Sequence, residues 1–111
     1  DDPLKWHYTA KPDLAAAQKE HDDFVKVLAD HGAEIIYHDE YLPELADAIF
    51  VHDPVIVTNA GAIILRMGKQ LRHGEEEAIE RKLNSIGIPT LFKLSGIATA
   101  EGGDILWIDE K

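Results

Sequence analysis

Two stretches of this chain repeat one another, and the repeat limits the folds open to it. Leu28-Ala-Asp-His-Gly32-Ala-Glu-Ile-Ile-Tyr37 aligns with Leu83-Asn-Ser-Ile-Gly87-Ile-Pro-Thr-Leu-Phe92 at an offset of 55 residues. Asp47-Ala-Ile-Phe-Val-His-Asp53 aligns with Asp104-Ile-Leu-Trp-Ile-Asp-Glu110 at an offset of 57. The shared unit reads helix, glycine stop, strand, loop, Asp, strand. A period of this size marks stacked supersecondary modules, with further copies expected outside these residues. The competing reading is that any helix followed by glycine and a strand gives such a match.

The elements follow from local signals. Asp13 is a good N-cap, so a helix should run to about His31 and stop at Gly32. Its apolar residues Leu14, Ala17, Phe24, Val25, Val27 and Leu28 form one stripe. Residues 33–37 read as a buried strand, as do 49–51 and 55–57. The turn signal Asn59-Ala-Gly61 and the apolar run 62–65 predict a hairpin. Residues 68–74 form a basic loop. A second helix should span 75–86, its acidic first turn complementing the helix dipole. Strands are expected at 90–94 and 105–108, and a loop at 1–12. The class is α/β.

Composition narrows the functions. A formal net charge of −10 with no basic patch disfavours nucleic acid and anionic membrane surfaces. No apolar run reaches the ~18 residues of a membrane-spanning helix. No targeting signal is visible, so the cytoplasm is the default expectation. The absence of cysteine leaves these residues without thiolate metal sites or a thiol nucleophile. The six histidines show no metal-binding spacing, and no metal or cofactor is expected. The opening Asp1-Asp2-Pro3, without Met, suggests the interior of a longer protein.

Asp47 and Asp53 bracket an apolar run at an even spacing, which on a strand places both on one face. Glu101 opens Glu101-Gly-Gly-Asp104, where glycines permit close backbone approach. Each acid can also be a turn cap at a strand end. Converging, they would hold a guanidinium, whose planar fork matches carboxylates. Arg66 and Arg72 lie in the one basic cluster, residues 66–75, and Arg72 near a helix start suits a carboxylate or phosphate. A surface loop balancing the acidic helix is the alternative. The acids of 75–77 and Asp22-Asp23 read as solvated helix faces.

The ordered set DAIFVHDP, hairpin, R-x-G-x-x-x-R-x-G-E, helix and EGGD resembles the guanidino-group modifying superfamily. The branch it looks most like is the dimethylarginine dimethylaminohydrolases, over most of residues 13–111. The resemblance implies about two ββαβ modules of a five-bladed pseudo-symmetric α/β propeller, a pentein. The modules would be roughly 13–58 and 62–111, in a domain incomplete at both ends.

By the same resemblance, Asp53 binds the guanidinium and Asp47 supports it. Glu101 is the catalytic-site acid on the guanidinium nitrogens. Arg72, and less directly Arg66, receives the substrate carboxylate. The parent is then expected to hydrolyse a C–N bond of arginine or methylated arginine, giving citrulline and an amine. The family's cysteine and histidine have no counterpart in these residues, so this stretch alone should be inactive. An amidinotransferase is the near alternative. A non-catalytic binding or oligomerising module, including a homo-oligomer, is the alternative of another class. The expected partner is a small cationic guanidino compound.

Overall fold

A computed structural model of the chain describes residues 2–108. The chain divides into two compact units, Asp1–Asp39 and Glu40–Lys111. In the first, a short 3-10 turn spans Pro3–Trp6 inside the stretch expected to be loop, and Trp6 is buried. Helix α1 spans Leu14–Asp30. Asp13 caps it as expected, its Oδ1 accepting the Ala16 N–H at 2.9 Å. The apolar stripe is present in sequence, yet α1 has no buried residue. Residues 33–37 are irregular, so the strand expected there does not form.

The second unit is built on one small mixed sheet. Strand β1 (Val55–Thr58) pairs antiparallel with β2 (Gly61–Ile64) through the expected hairpin. Helix α2 (Glu75–Ser85) then returns the chain to β3 (Thr90–Lys93), which lies parallel to β2. The sheet order is β1-β2-β3. Val55, Ala62, Ile64 and Ile79 form the core, with Leu83 and Ile88 packed against it. The even positions of β2 therefore meet the apolar side of α2, the period-2 face against the period-3.6 face. No helix of the described residues is long and apolar enough to cross a membrane.

Two further expected strands are absent. Residues 49–51 belong to a run of turns, in which Phe50 N–H bonds Asp47 O and Asp53 N–H bonds Phe50 O, both at 3.0 Å. Residues 105–108 are irregular after a 3-10 turn at Gly102–Asp104. The repeat is thus real at its helix stops and not in its strands. Gly32 and Gly87 share φ values of 89° and 88°. Ala33 N–H bonds Leu28 O at 3.1 Å, and Ile88 N–H bonds Leu83 O at 3.0 Å. These are equivalent Schellman closures. Asp109 and Glu110, which end the second repeat, lie outside the described residues.

Candidate functional site: an arginine shared among carboxylates

The basic loop between β2 and α2 carries a 3-10 turn, Gln70–Arg72, that delivers Arg72 into the interior. Arg72 is 5% exposed. Its Nε donates to both oxygens of Glu75 at 2.9 and 3.1 Å, and Nη2 donates to Glu75 Oε2 at 2.6 Å. Nη1 donates to Asp53 Oδ2 at 2.8 Å, and Nη2 to the Asp47 carbonyl at 3.2 Å. The Phe50 ring centroid lies 5.9 Å from the guanidinium carbon. One arginine thus serves two carboxylates and a carbonyl, the arrangement that offsets the desolvation of a buried charge.

The same loop places the remaining acids. Lys69 Nζ lies 3.0 Å from Asp47 Oδ2. Glu76 accepts the backbone N–H of Met67 at 2.8 Å and of Gly74 at 2.9 Å, closing the loop on itself. Glu101 Oε1 accepts the Gly68 N–H at 3.1 Å. Glu101 and Asp104 also form a reciprocal capping box around the Gly102–Asp104 turn. Gly102 N–H bonds the Asp53 carbonyl at 2.8 Å. A Cβ on Gly102 would stand 2.2 Å from His52 O, so only glycine permits this approach.

Asp47, Asp53 and Arg72 are therefore brought together, and Glu101 is tied to the loop and to the backbone at Asp53. The means differ from expectation. Asp47 and Asp53 meet through turns, not as neighbours on one strand face. Glu75 and Glu76, read from sequence as solvated, are 3% and 5% exposed. The spacing Arg72-x-x-Glu75 was the available signal for that pair, since residues three apart across a helix start are neighbours. Arg66 stands apart. Its guanidinium has no hydrogen bond or ion pair among the described residues, and it lines a cleft of about 140 Å³ with Leu65, His73, Glu77 and Lys93.

Charge follows this geometry. Burial lowers the Arg72 pKa, but the hydrogen bonds and charges of Glu75 and Asp53 outweigh it, and the guanidinium ends above its ordinary value. Burial lifts the Glu75 carboxyl above the ordinary carboxylate range; Arg72 opposes this, while Asp47 and Glu76 reinforce it. Among the described residues no cation pairs with Glu76 or Glu101. Nor do any three His, Asp or Glu side chains converge as metal ligands among them. Among the described residues the cluster Asp47, Asp53, Glu75, Glu76 and Glu101 holds more acidic than basic side chains.

A small mixed sheet with one helix packed on it and a cluster of carboxylates around one buried arginine defines the class only as α/β. Comparison with known proteins gives the family. Residues 5–111 match the family described as N,N dimethylarginine dimethylhydrolase, eukaryotic. The chain belongs to the dimethylarginine dimethylaminohydrolase family. It is 32% identical over 111 residues to N(G),N(G)-dimethylarginine dimethylaminohydrolase of Pseudomonas aeruginosa, covering 98% of this chain and 42% of that protein. The Streptomyces coelicolor enzyme of the same name is 30% identical over 100 residues, 90% of this chain and 38% of its own length.

Solved structures agree. A crystal structure of a dimethylarginine dimethylaminohydrolase adduct with S-methyl-L-thiocitrulline superposes with a TM-score of 0.74 at 33% identity. It covers 89% of this chain and 39% of that one. An adduct with 4-chloro-2-hydroxymethylpyridine gives 0.73 at the same identity, with 89% and 40% coverage. The α/β class is the expected one, and the fold is that of part of such an enzyme. The chain spans well under half the length of these relatives.

Proposed function

We propose that these residues are the guanidinium-holding part of an enzyme that hydrolyses a C–N bond of methylated arginine or arginine. The products would be citrulline and an amine. A cysteine and a histidine outside these residues would supply the nucleophile and the acid–base group. The observation that carries the reading is the charge imbalance at the site. One arginine is divided between Asp53 and Glu75, while Glu101, among the described residues, is held by backbone N–H groups alone. A guanidinium stays protonated at any physiological pH, its pKa being above ~12. It would complete the pairing.

In this reading Asp53 and Glu101 bind the substrate nitrogens and leave the central carbon open. A thiolate adds to that carbon, the protonated amine leaves, and water releases citrulline from the resulting thiouronium. Asp47, occupied by Lys69, supports the turn that carries Asp53. Arg72 stays the first candidate to receive the substrate carboxylate; without ligand its Nε, Nη1 and Nη2 each donate within the protein. Arg66, whose guanidinium has no hydrogen bond or ion pair among the described residues, is the second candidate for that role.

The test uses the longer protein that contains these residues. Asp53→Asn and Glu101→Gln should each lower kcat/KM for dimethylarginine by about 100-fold or more, the loss of a charge-assisted contact at the reacting group. Citrulline and dimethylamine are the products to assay. Unchanged turnover in both variants would remove the proposal. Transfer of the amidino carbon to an added amine, in place of water, would move the protein to the amidinotransferases.

A further inference from the structure

We propose that the cleft where the C-terminal ends of β2 and β3 meet the start of α2 binds a small monocarboxylate through the guanidinium of Arg66. The site is separate from the cluster around Arg72 and does not depend on the function proposed above.

The walls of the cleft are fixed. Arg66 follows β2, Lys93 ends β3, and His73, Glu76 and Glu77 come from the entry to α2. Leu94 N–H bonds Ile64 O at 2.9 Å, and Ala100 N–H bonds Arg66 O at 3.0 Å. The backbone that presents Arg66 is thus tied on both sides. Asp53, Arg72, Glu75 and Glu101 do not line this cleft. Its volume of about 140 Å³ is well below that of a drug-sized pocket and suits a small ion or acid.

The polar groups on the walls show what is missing. Glu76 is satisfied, because its oxygens accept the N–H groups of Met67 and Gly74. Glu77 Oε1 lies 3.3 Å from Lys93 Nζ, and Lys93 also reaches Glu80 Oε2 at 2.8 Å. His73 Nε2 donates to the Met67 carbonyl at 3.0 Å. Arg66 differs: among the described residues its guanidinium has no hydrogen bond or ion pair. The other two arginines both have carboxylate partners, Asp53 and Glu75 for Arg72 and Glu40 for Arg81. What the cleft lacks is therefore an acceptor, and one that carries charge.

The same inventory selects the ligand. A guanidinium edge offers two parallel N–H groups, which match the two oxygens of a carboxylate. A neutral acceptor would leave the charge of Arg66 unmatched. A dianion such as phosphate would set a second negative charge beside Glu76 and Glu77, both of which already have their partners. A singly charged carboxylate meets the one open cation and adds no further charge.

The experiment titrates sodium acetate into the ¹⁵N-labelled longer protein at constant ionic strength and follows backbone amide shifts by NMR. Saturating shifts are expected at Arg66, His73 and Glu77, with a Kd of about 10 mM, the scale of one well-aligned charged pair. Arg66→Gln should weaken this binding by about tenfold or more. Arg66→Lys keeps the charge but not the fork, and should weaken it by roughly threefold; it carries the comparison if Arg66→Gln does not fold. Shifts that stay linear in acetate, or that saturate equally in the variants, would overturn the inference. Shifts confined to Asp53 and Gly102 would place the anion on Arg72 and also overturn it. So would phosphate binding more tightly than acetate, because the ligand class would then be wrong. Displacement of acetate by arginine at about a tenth of the acetate Kd would make the cleft the receptor of the substrate carboxylate, against a ligand of its own. Failure of dimethylarginine turnover would remove the proposed function and leave the acetate result standing.

Discussion

Taking a guanidinium out of water costs several kcal/mol, and the cost is recovered only when partners surround it closely. Arg72 meets that condition through Glu75, Asp53 and a backbone carbonyl. Removing one partner should therefore hurt more than removing a surface charge. Glu75→Ala is expected to destabilise the protein by about 3–5 kcal/mol, read as a lower urea midpoint with an unchanged slope. Glu76 offers a second check, because its two oxygens satisfy the amides of Met67 and Gly74. Glu76→Ala should cost about 1–3 kcal/mol and speed hydrogen exchange at those two amides specifically. At this scale the grouping of Asp47, Asp53 and Arg72 was legible in sequence, because the ordered motifs that carry them resemble a family whose chemistry needs acids and an arginine close together. Lys69, Glu75 and Glu76 were not. A helix-start acid reads the same whether it faces water or turns back into a loop, and only the path of residues 66–74 decides between the two.

Element formation shows where local signals suffice. The hairpin and both helices formed where capping and turn residues placed them, since their hydrogen bonds close within the element or with the next one in sequence. Residues 33–37, 49–51 and 105–108 have the apolar, β-branched character of strands and are not strands. A strand needs a neighbour to pair its N–H and C=O groups, and composition cannot say whether one is present. At 47–53, the carbonyl of Asp47 is instead taken by Phe50 N–H and Arg72, which favours turns. Gly102 tests the contact that aligns this turn with the Glu101 segment. Gly102→Ala drives a methyl into His52 O and should cost at least about 1–3 kcal/mol, by thermal melting, and lower activity more than a mutation at open Gly103.

The pairing of β3 with α2 gives a pH signature. Lys93 Nζ bonds Glu80 Oε2 at 2.8 Å. That bond holds the Glu80 carboxyl below its ordinary range, against a smaller effect of burial. It also raises the Lys93 ammonium, burial opposing. A lowered carboxyl stabilises the fold above its unfolded pKa, and this is lost as pH falls through the folded value. A raised ammonium stabilises below its unfolded pKa, and this is lost as pH rises through the folded one. The Glu80–Lys93 coupling in a double-mutant cycle should therefore be constant near neutrality, at about 0.2–1 kcal/mol for so exposed a pair. It should vanish at the acid end, below the ordinary carboxylate pKa of ~4.3, and again above ~10.4. A coupling that persists at pH 2 would contradict the assignment.

At the scale of the whole molecule, length and exposure point the same way. These residues span 42% of the Pseudomonas aeruginosa relative. They leave Phe24 on α1 61% exposed and Phe92 on β3 60% exposed, while Trp107 stands 62% exposed. Apolar side chains of this size lose roughly 1.5–3 kcal/mol each when left in water instead of buried. In sequence they looked like core because they are core-type residues in periodic order, and periodicity does not reveal which surface supplies the other half. Patches of this kind mark contact surfaces or aggregation liabilities. The expected outcome is that the isolated 111-residue segment binds a hydrophobic dye such as anilinonaphthalene sulfonate and self-associates with rising concentration. The longer protein should bind far less dye. Phe24→Ser and Phe92→Ser should lower dye binding by the isolated segment but destabilise the longer protein. Equal dye binding by the two lengths of chain would mean that these faces stay open to solvent in both.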